Sequence, residues 1–276
     1  MFCYLCIGIT DHHYDAEFRR QHSLSLSILK ELGFGKDIME EHIQVEASVL
    51  LQKIRDAKSE AFCPDNALLS CTFNVTVSML FGRRMEDEKV NEFSKLTYDF
   101  VHSLFDIIPA DLFPLLRFLP KMRRGIGKAI DLQRRLFDII RYNIETADED
   151  SFVRYYQNHE GSKLDREQLE YIVRDLFMAG SETVPTTLRW AMVLLAGPDG
   201  QHVQDRLWKE IDSQVPRERL PSFADRPHLP FVEATILEVM RVKTVVPLSL
   251  SHSTSCDTTV GGFFIPAKTQ ASRRWS

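Results

Sequence analysis

A run of helical, mostly apolar sequence from Leu164-Asp165 to Leu195-Ala-Gly197 constrains this chain most, because it is long and because Gly180, Ser181, Glu182 and Thr183 interrupt its centre. Leu169, Ile172, Val173, Leu176, Phe177, Leu188, Met192 and Val193 recur along it on most faces, and a helix apolar all round needs packing partners all round. Roughly 32 residues at about 1.5 Å each give about 48 Å, the width of a whole domain. Asp165 is placed to cap the start and Gly197 to end the helix. Inside a helix Gly costs about 1 kcal/mol against Ala, and buried polar groups need partners. The Gly-Ser-Glu-Thr run therefore serves something other than helix formation: glycine lets a flat ligand approach the backbone, and a paired acid and hydroxyl can relay protons. Pro185 removes the amide that would bond to the Ser181 carbonyl, so a kink is expected beside this segment.

Helical periodicity dominates the rest of the chain, and the expected fold is mainly α with a small β element. Asp37 to Lys58 reads as an amphipathic helix burying Ile38, His42, Val45, Val49, Leu50 and Ile54. Asn66 to Phe81 is more apolar all round, with Gly82 as its stop. Lys89–Phe105 and Met122–Thr146 read as two further helices joined by a Pro- and Phe-rich loop, Ile108 to Pro120. The basic run Arg123, Arg124, Lys128, Arg134 and Arg135 reads first as a solvated helix face. Thr259 to Pro266 alternates around turn residues and reads as a small sheet. Asn74-Val-Thr76 matches a glycosylation sequon but lies within an apolar helix, so it is expected to stay unmodified. A net charge of −5 and a pI near 6.0 argue against an electrostatic nucleic-acid binder.

The central segment Ala179-Gly180-Ser181-Glu182-Thr183, followed downstream by Glu238-Val-Met-Arg241, resembles the cytochrome P450 superfamily of haem-thiolate monooxygenases, in particular its microsomal animal family-2 type. Leu188-Arg189-Trp190, Pro230-Phe231 and Pro247-Leu248 supply matching context, and the resemblance runs from about Asp11 to Thr269. It implies a haem (heme b) cofactor, electrons from NADPH through a reductase partner, and insertion of one oxygen atom into a lipophilic small-molecule substrate. Thr183 would hydrogen-bond the activated oxygen and Glu182 would connect it to bulk protons, whereas a hydroxyl bonding back along its own helix is the plainer role for Thr183. Ala179 and Gly180 would leave space above the ring. Glu238 and Arg241, three apart on one helix face, would form a structural pair. His252 would reach a haem propionate or else be an ordinary strand histidine. Phe18 and His22 stand where the family has Trp and Arg for the propionates, with Arg19 or Arg20 as an alternative register; a neutral His binds a propionate less strongly than Arg. Phe100, Phe105 and Phe113 are candidates for the pocket roof, with core packing as the alternative for each, and Val246 and Leu248 would border the pocket.

The family's thiolate loop, Phe-x-x-Gly-x-Arg-x-Cys-x-Gly, has no counterpart here. Cys3, Cys6, Cys63, Cys71 and Cys256 all lie outside any Gly-rich loop leading into a helix, so no metal ligand is assigned. Cys3-x-x-Cys6 has redox or zinc spacing but no second pair beside it, and reduced thiols are the simpler reading. The expectation is a single partial domain over residues 1–276, truncated at both ends, with 1–10 and 270–276 non-homologous to the family. The ten mostly apolar N-terminal residues are too short to span a bilayer and unlike a signal peptide. The family implies the endoplasmic reticulum membrane for a full-length form; an anchorless chain is expected in the cytoplasm. Without a thiolate the polypeptide is expected to be inactive and, lacking haem and later helices as packing partners, molten or aggregation-prone. The reading from another class is a non-catalytic fragment acting as a helical interaction module.

Overall fold

The computed structural model describes residues 8–10, 14–35, 37–58, 60–163, 165–247, 249–250 and 252–271, with the side chains of 37, 38, 105, 108, 111, 112, 114 and 162 outside that description. The chain is mostly helical and divides into two compact units, Met1–Glu182 and Thr183–Ser276. The elements of the first are α1 (Ala16–Glu31), α2 (Asp37–Asp56), α3 (Asp65–Phe81), α4 (Asp87–Leu112), a 3-10 turn (Pro114–Phe118), α5 (Pro120–Glu145), α6 (Phe152–Glu160) and the first half of α7 (Arg166–Ala196). Those of the second are the rest of α7, α8 (Gln201–Gln214), α9 (Pro230–Val242) and the short strands β1 (His252–Ser253), β2 (Thr258–Val260), β3 (Phe263–Ile265) and β4 (Gln270–Ala271).

In the first unit α4 packs on α5, α2 on α3, α1 on α6, and α3 on both α4 and α6. The apolar stripes of α1, α3, α4, α5 and α6 meet in one core that includes Ile28, Phe73, Leu80, Phe93, Leu136, Ile140, Phe152 and, from α7, Leu169, Ile172, Val173 and Phe177. At its centre Phe177 stacks on Phe93 with ring centroids 4.2 Å apart and meets Phe73 edge-on at 4.8 Å. The capping residues read from the sequence are in place. Asp165 accepts from the amides of Glu167 and Gln168 at the start of α7, and Gly82, at φ +77°, ends α3 in the left-handed conformation that glycine adopts freely. Asn74 is fully buried and exchanges hydrogen bonds with the backbone of Met85, 2.8 and 3.1 Å, fastening the α3–α4 turn.

Three local expectations are corrected. Among the described side chains of α2 the buried one is Glu46, whereas His42, Val45 and Ile54 are exposed; Glu46 turns inward because Arg84 meets it at 2.6 Å. The connecting loop is shorter than Ile108–Pro120, since α4 runs on through Pro109 to Leu112. Burial of Ile107 and Ala110 outweighs the one amide that Pro109 lacks, and Arg117 Nε donates to the Ala110 carbonyl at 3.1 Å. Enclosure of the central helix holds for Leu169 to Phe177, whereas Leu188 and Val193 are exposed.

The second unit is held by local clasps. Glu210 of α8 accepts from the amides of Phe231 and Val232 at 3.0 and 2.9 Å, capping α9 from outside where the helix dipole favours a carboxylate. Asp225 takes both Nη atoms of Arg219, at 2.6 and 2.7 Å, and the Ser222 amide at 2.8 Å. That guanidinium, then the Ser222 amide, holds the Asp225 carboxyl well below the usual carboxylate range. β2 and β3 pair antiparallel around Gly261-Gly262, both at positive φ as a tight two-residue hairpin demands. β1 pairs antiparallel with β4. Val215, Leu229 and Val239 are buried, while Ile236, Leu237, Met240, Phe263 and Phe264 are exposed.

Candidate active site

The central segment sits on α7, which continues through Pro185 without interruption to Ala196. In the first unit Ala179 is exposed, Gly180 and Glu182 are half-buried and Ser181 is fully buried. In the second, Thr183 is half-buried and its carbonyl accepts from the Thr187 hydroxyl at 2.9 Å, one turn on. In the first unit this puts a surface without a bulky side chain at Ala179 and an acid, Glu182, one turn later.

Gly180 has a specific neighbour. A Cβ added there would stand 2.6 Å from Thr76 Oγ1 and 3.0 Å from its Cγ2. Its missing side chain therefore lets α3 and α7 approach each other. Threonine is stiff at χ1 and gives way poorly. Gly180→Ala is expected to cost about 1–3 kcal/mol in overpacking against about 1 kcal/mol gained in helix propensity. In a Thr76→Ala background the same change should become neutral or stabilising. Urea midpoints of the four-member cycle measure the coupling, and simple additivity would show that this approach is not what glycine serves.

The other sequence-derived residues divide as follows. On α1, Phe18 is half-buried and His22 exposed, their rings stacked at 5.6 Å. In the alternative register, Arg20 is held by Glu17 at 2.7 Å and by Glu160 of α6 at 2.6 Å, whereas Arg19 lies over the Tyr14 ring at 5.9 Å. Phe100 is buried in the core of the first unit, and Phe113 is 65% exposed at the α4–α5 connection. The Phe105 side chain and Leu248 lie outside the described residues. On α9, Glu238 and Arg241 form the expected pair at 2.6 and 2.7 Å, and the guanidinium draws the Glu238 carboxyl below its ordinary value. Val246 is exposed, and so is His252, whose Nδ1 lies 2.7 Å from the Leu250 carbonyl.

A residue that the sequence reading passed over is Asp175, one turn before Ala179. Its carboxylate is buried, takes Arg174 at 2.6 Å, and accepts from the amides of Ile9 and Thr10 at 2.7 and 2.9 Å. Gly8 makes this approach possible: its φ is +97°, and an added Cβ would lie 2.6 Å from Asp175 Oδ2. The available signal was a charged Arg174-Asp175 pair within an apolar helix. Thr76 carried no comparable signal.

A long central helix bearing Ala-Gly-x-Glu-Thr, a Glu-x-x-Arg pair on a later helix and a small sheet beyond it define the class, and the chain belongs to the cytochrome P450 family, whose family model matches residues 7–272. Among curated relatives it is 31% identical to human cytochrome P450 2U1, over 95% of this chain and 51% of the relative. It is 32% identical to dog cytochrome P450 1A1, over 88% and 51%, and 32% identical to human cytochrome P450 1A2, over 83% and 47%. The chain thus spans about half the length of the curated relatives it matches.

The family implies a haem, and the residues present suit one face of it. The exposed Ala179 surface of the first unit, without a bulky side chain, is compatible with a flat ring. The described cysteines are not suited to supply a thiolate ligand to it. Cys63 and Cys256 are exposed, the latter between β1 and β2. Burial first, then the charge of Glu46, pushes the half-buried Cys71 thiol up to about 11, so it stays protonated at neutral pH. Cys3 and Cys6 lie outside the described residues.

Proposed function

We propose that this chain carries the oxygen-side half of a haem-dependent monooxygenase that inserts one atom of dioxygen into a lipophilic organic substrate, using NADPH-derived electrons from a reductase. The observation that carries the reading is the Ala179–Thr183 segment set into a core helix of a cytochrome P450 chain. Haem, when bound, would supply the redox chemistry of dioxygen. Ala179 would offer a flat apolar surface to the ring and substrate. Glu182, half-buried and next to Thr183 in sequence, would take protons from water, and the Thr183 hydroxyl would relay them, donating its own hydrogen as it accepts another. Glu238 and Arg241 would fix α9 and take no part in the chemistry.

The exposed side chains of Phe113, Leu115, Phe118 and Leu119, followed on α5 by exposed Lys121, Arg123, Arg124 and Lys128, support contact with a lipid surface at the endoplasmic reticulum and a route for apolar substrates. Among the described residues no helix is long and apolar enough to cross a membrane.

The same proposal holds that the 276-residue polypeptide does not activate oxygen by itself, since none of its described cysteines is suited to supply a thiolate ligand: Cys63 and Cys256 are exposed and Cys71 stays protonated. Expressed with haem and a reductase, then reduced and exposed to carbon monoxide, it is expected to give no thiolate-type Soret band and no turnover. A stoichiometric band would overturn this part. With a relative's thiolate-bearing segment supplied, Thr183→Ala is expected to lower product per NADPH at least about tenfold while substrate still binds; unchanged coupling would remove Thr183 from proton delivery. If the supplied segment restores no haem binding at all, the non-catalytic interaction module stands instead.

A further inference from the structure

A cavity of about 500 Å³ opens in the first unit where the α3–α4 turn meets the last turns of α5. Met85, Ile139 and the exposed ring of Tyr142 give it apolar walls, and Arg83 and Lys89 stand at its edge. Its volume lies in the range of small-molecule sites, about 300–1,000 Å³. Arg83 is half-buried and held by neutral acceptors only: the Thr146 carbonyl, the Thr146 hydroxyl at 2.5 Å and Asn143 Oδ1 at 3.2 Å. The C-terminal end of α5 offsets about half a charge, and among the described residues no carboxylate pairs with this guanidinium. Of the other charged groups lining the cavity, Arg84 is engaged by Glu46 at 2.6 Å and Asp87 at 3.5 Å, Lys89 pairs loosely with exposed Glu86 at 3.4 Å, and Glu92 is exposed. A fixed, partly uncompensated cation beside an apolar, aromatic-edged hollow selects a ligand with an anionic head and a ring body.

We propose that this cavity is a second binding site for small aryl carboxylates, separate from α7. Binding here needs no haem, so its failure is distinguishable from failure of the monooxygenase reading. The probe is 2-naphthoate, with neutral 2-naphthalenemethanol as its counterpart, titrated into the full chain with hydrogen exchange to locate the site. Saturable binding of 2-naphthoate, at least about tenfold tighter than the alcohol as one charge-assisted contact provides, should protect residues 83–93 and 139–146. Arg83→Gln should abolish the preference for the carboxylate and leave the alcohol unaffected. Because Arg83 also caps α5, the exposed Lys89→Gln serves as the second variant, with an expected loss of about threefold for 2-naphthoate alone. Absence of saturable binding, equal affinity for acid and alcohol, indifference to both variants, or protection elsewhere would each overturn the proposal.

Discussion

Replacing Phe177 by alanine is expected to destabilise the first unit by about 3–5 kcal/mol, the cost of emptying a large aromatic site that cannot collapse. The ring is fully buried and holds three helices at once, α7 through its own backbone, α4 through Phe93 and α3 through Phe73. Such pairs add about 0.5–1.5 kcal/mol beyond their buried area. Folded domains hold only about 5–15 kcal/mol in reserve, so the change should remove a large share of it. Val193→Ala, on the same helix but 58% exposed, should stay within about 0.5 kcal/mol. Near-ultraviolet circular dichroism during heating separates the two. Equal, small shifts for both variants would mean that the aromatic cluster does not carry the core.

The same contrast refines the expectation that the whole chain is molten. The first unit has an extended core of its own, whereas the second exposes Ile236, Leu237, Met240 and Phe263. Dye binding and rapid amide exchange are therefore expected to concentrate after Thr183, with the residues around Phe177 protected.

What the sequence disclosed was whatever repeats locally. The helical period located α3, α5 and α7, Asp165 and Gly82 marked ends, and the turn residues within Thr259–Pro266 marked a small sheet. Glu238 and Arg241 were legible as a pair because three residues on a helix bring side chains together. Where a side chain's fate depends on a partner far along the chain, no local pattern reveals it. Glu46 turns inward for Arg84, 38 residues on. Gly180 answers to Thr76 of another helix, and Pro109 stays helical because its neighbours are buried. At the candidate site, residue types and order were legible through resemblance. The surroundings were not: whether Phe100 lines a roof or fills a core is decided by the packing of α4.

Asp175 gives the most demanding case. Asp175→Ala is expected to cost about 3–5 kcal/mol, because breaking a buried ion pair by removing one member is strongly destabilising and two amides lose their acceptor as well. Arg174 would stay buried with the Tyr171 ring at 4.8 Å, having lost the carboxylate that both its Nε and its Nη2 reach. The amides of Ile9 and Thr10 would lose their shared acceptor, so the segment before α1 should come away from α7. Asp175→Asn retains the shape and one acceptor, and should cost less. Denaturant midpoints give the stability change, and hydrogen exchange at Ile9 and Thr10 reports the segment directly. The expected order is native, then Asn, then Ala, in both measurements. Fast exchange at these two amides in the unaltered chain, or an alanine variant as stable as the asparagine one, would show that Asp175 does not hold the segment. Because Asp175 and Ala179 lie four residues apart on one face of α7, release of this segment would loosen the chain within one turn of the candidate oxygen site.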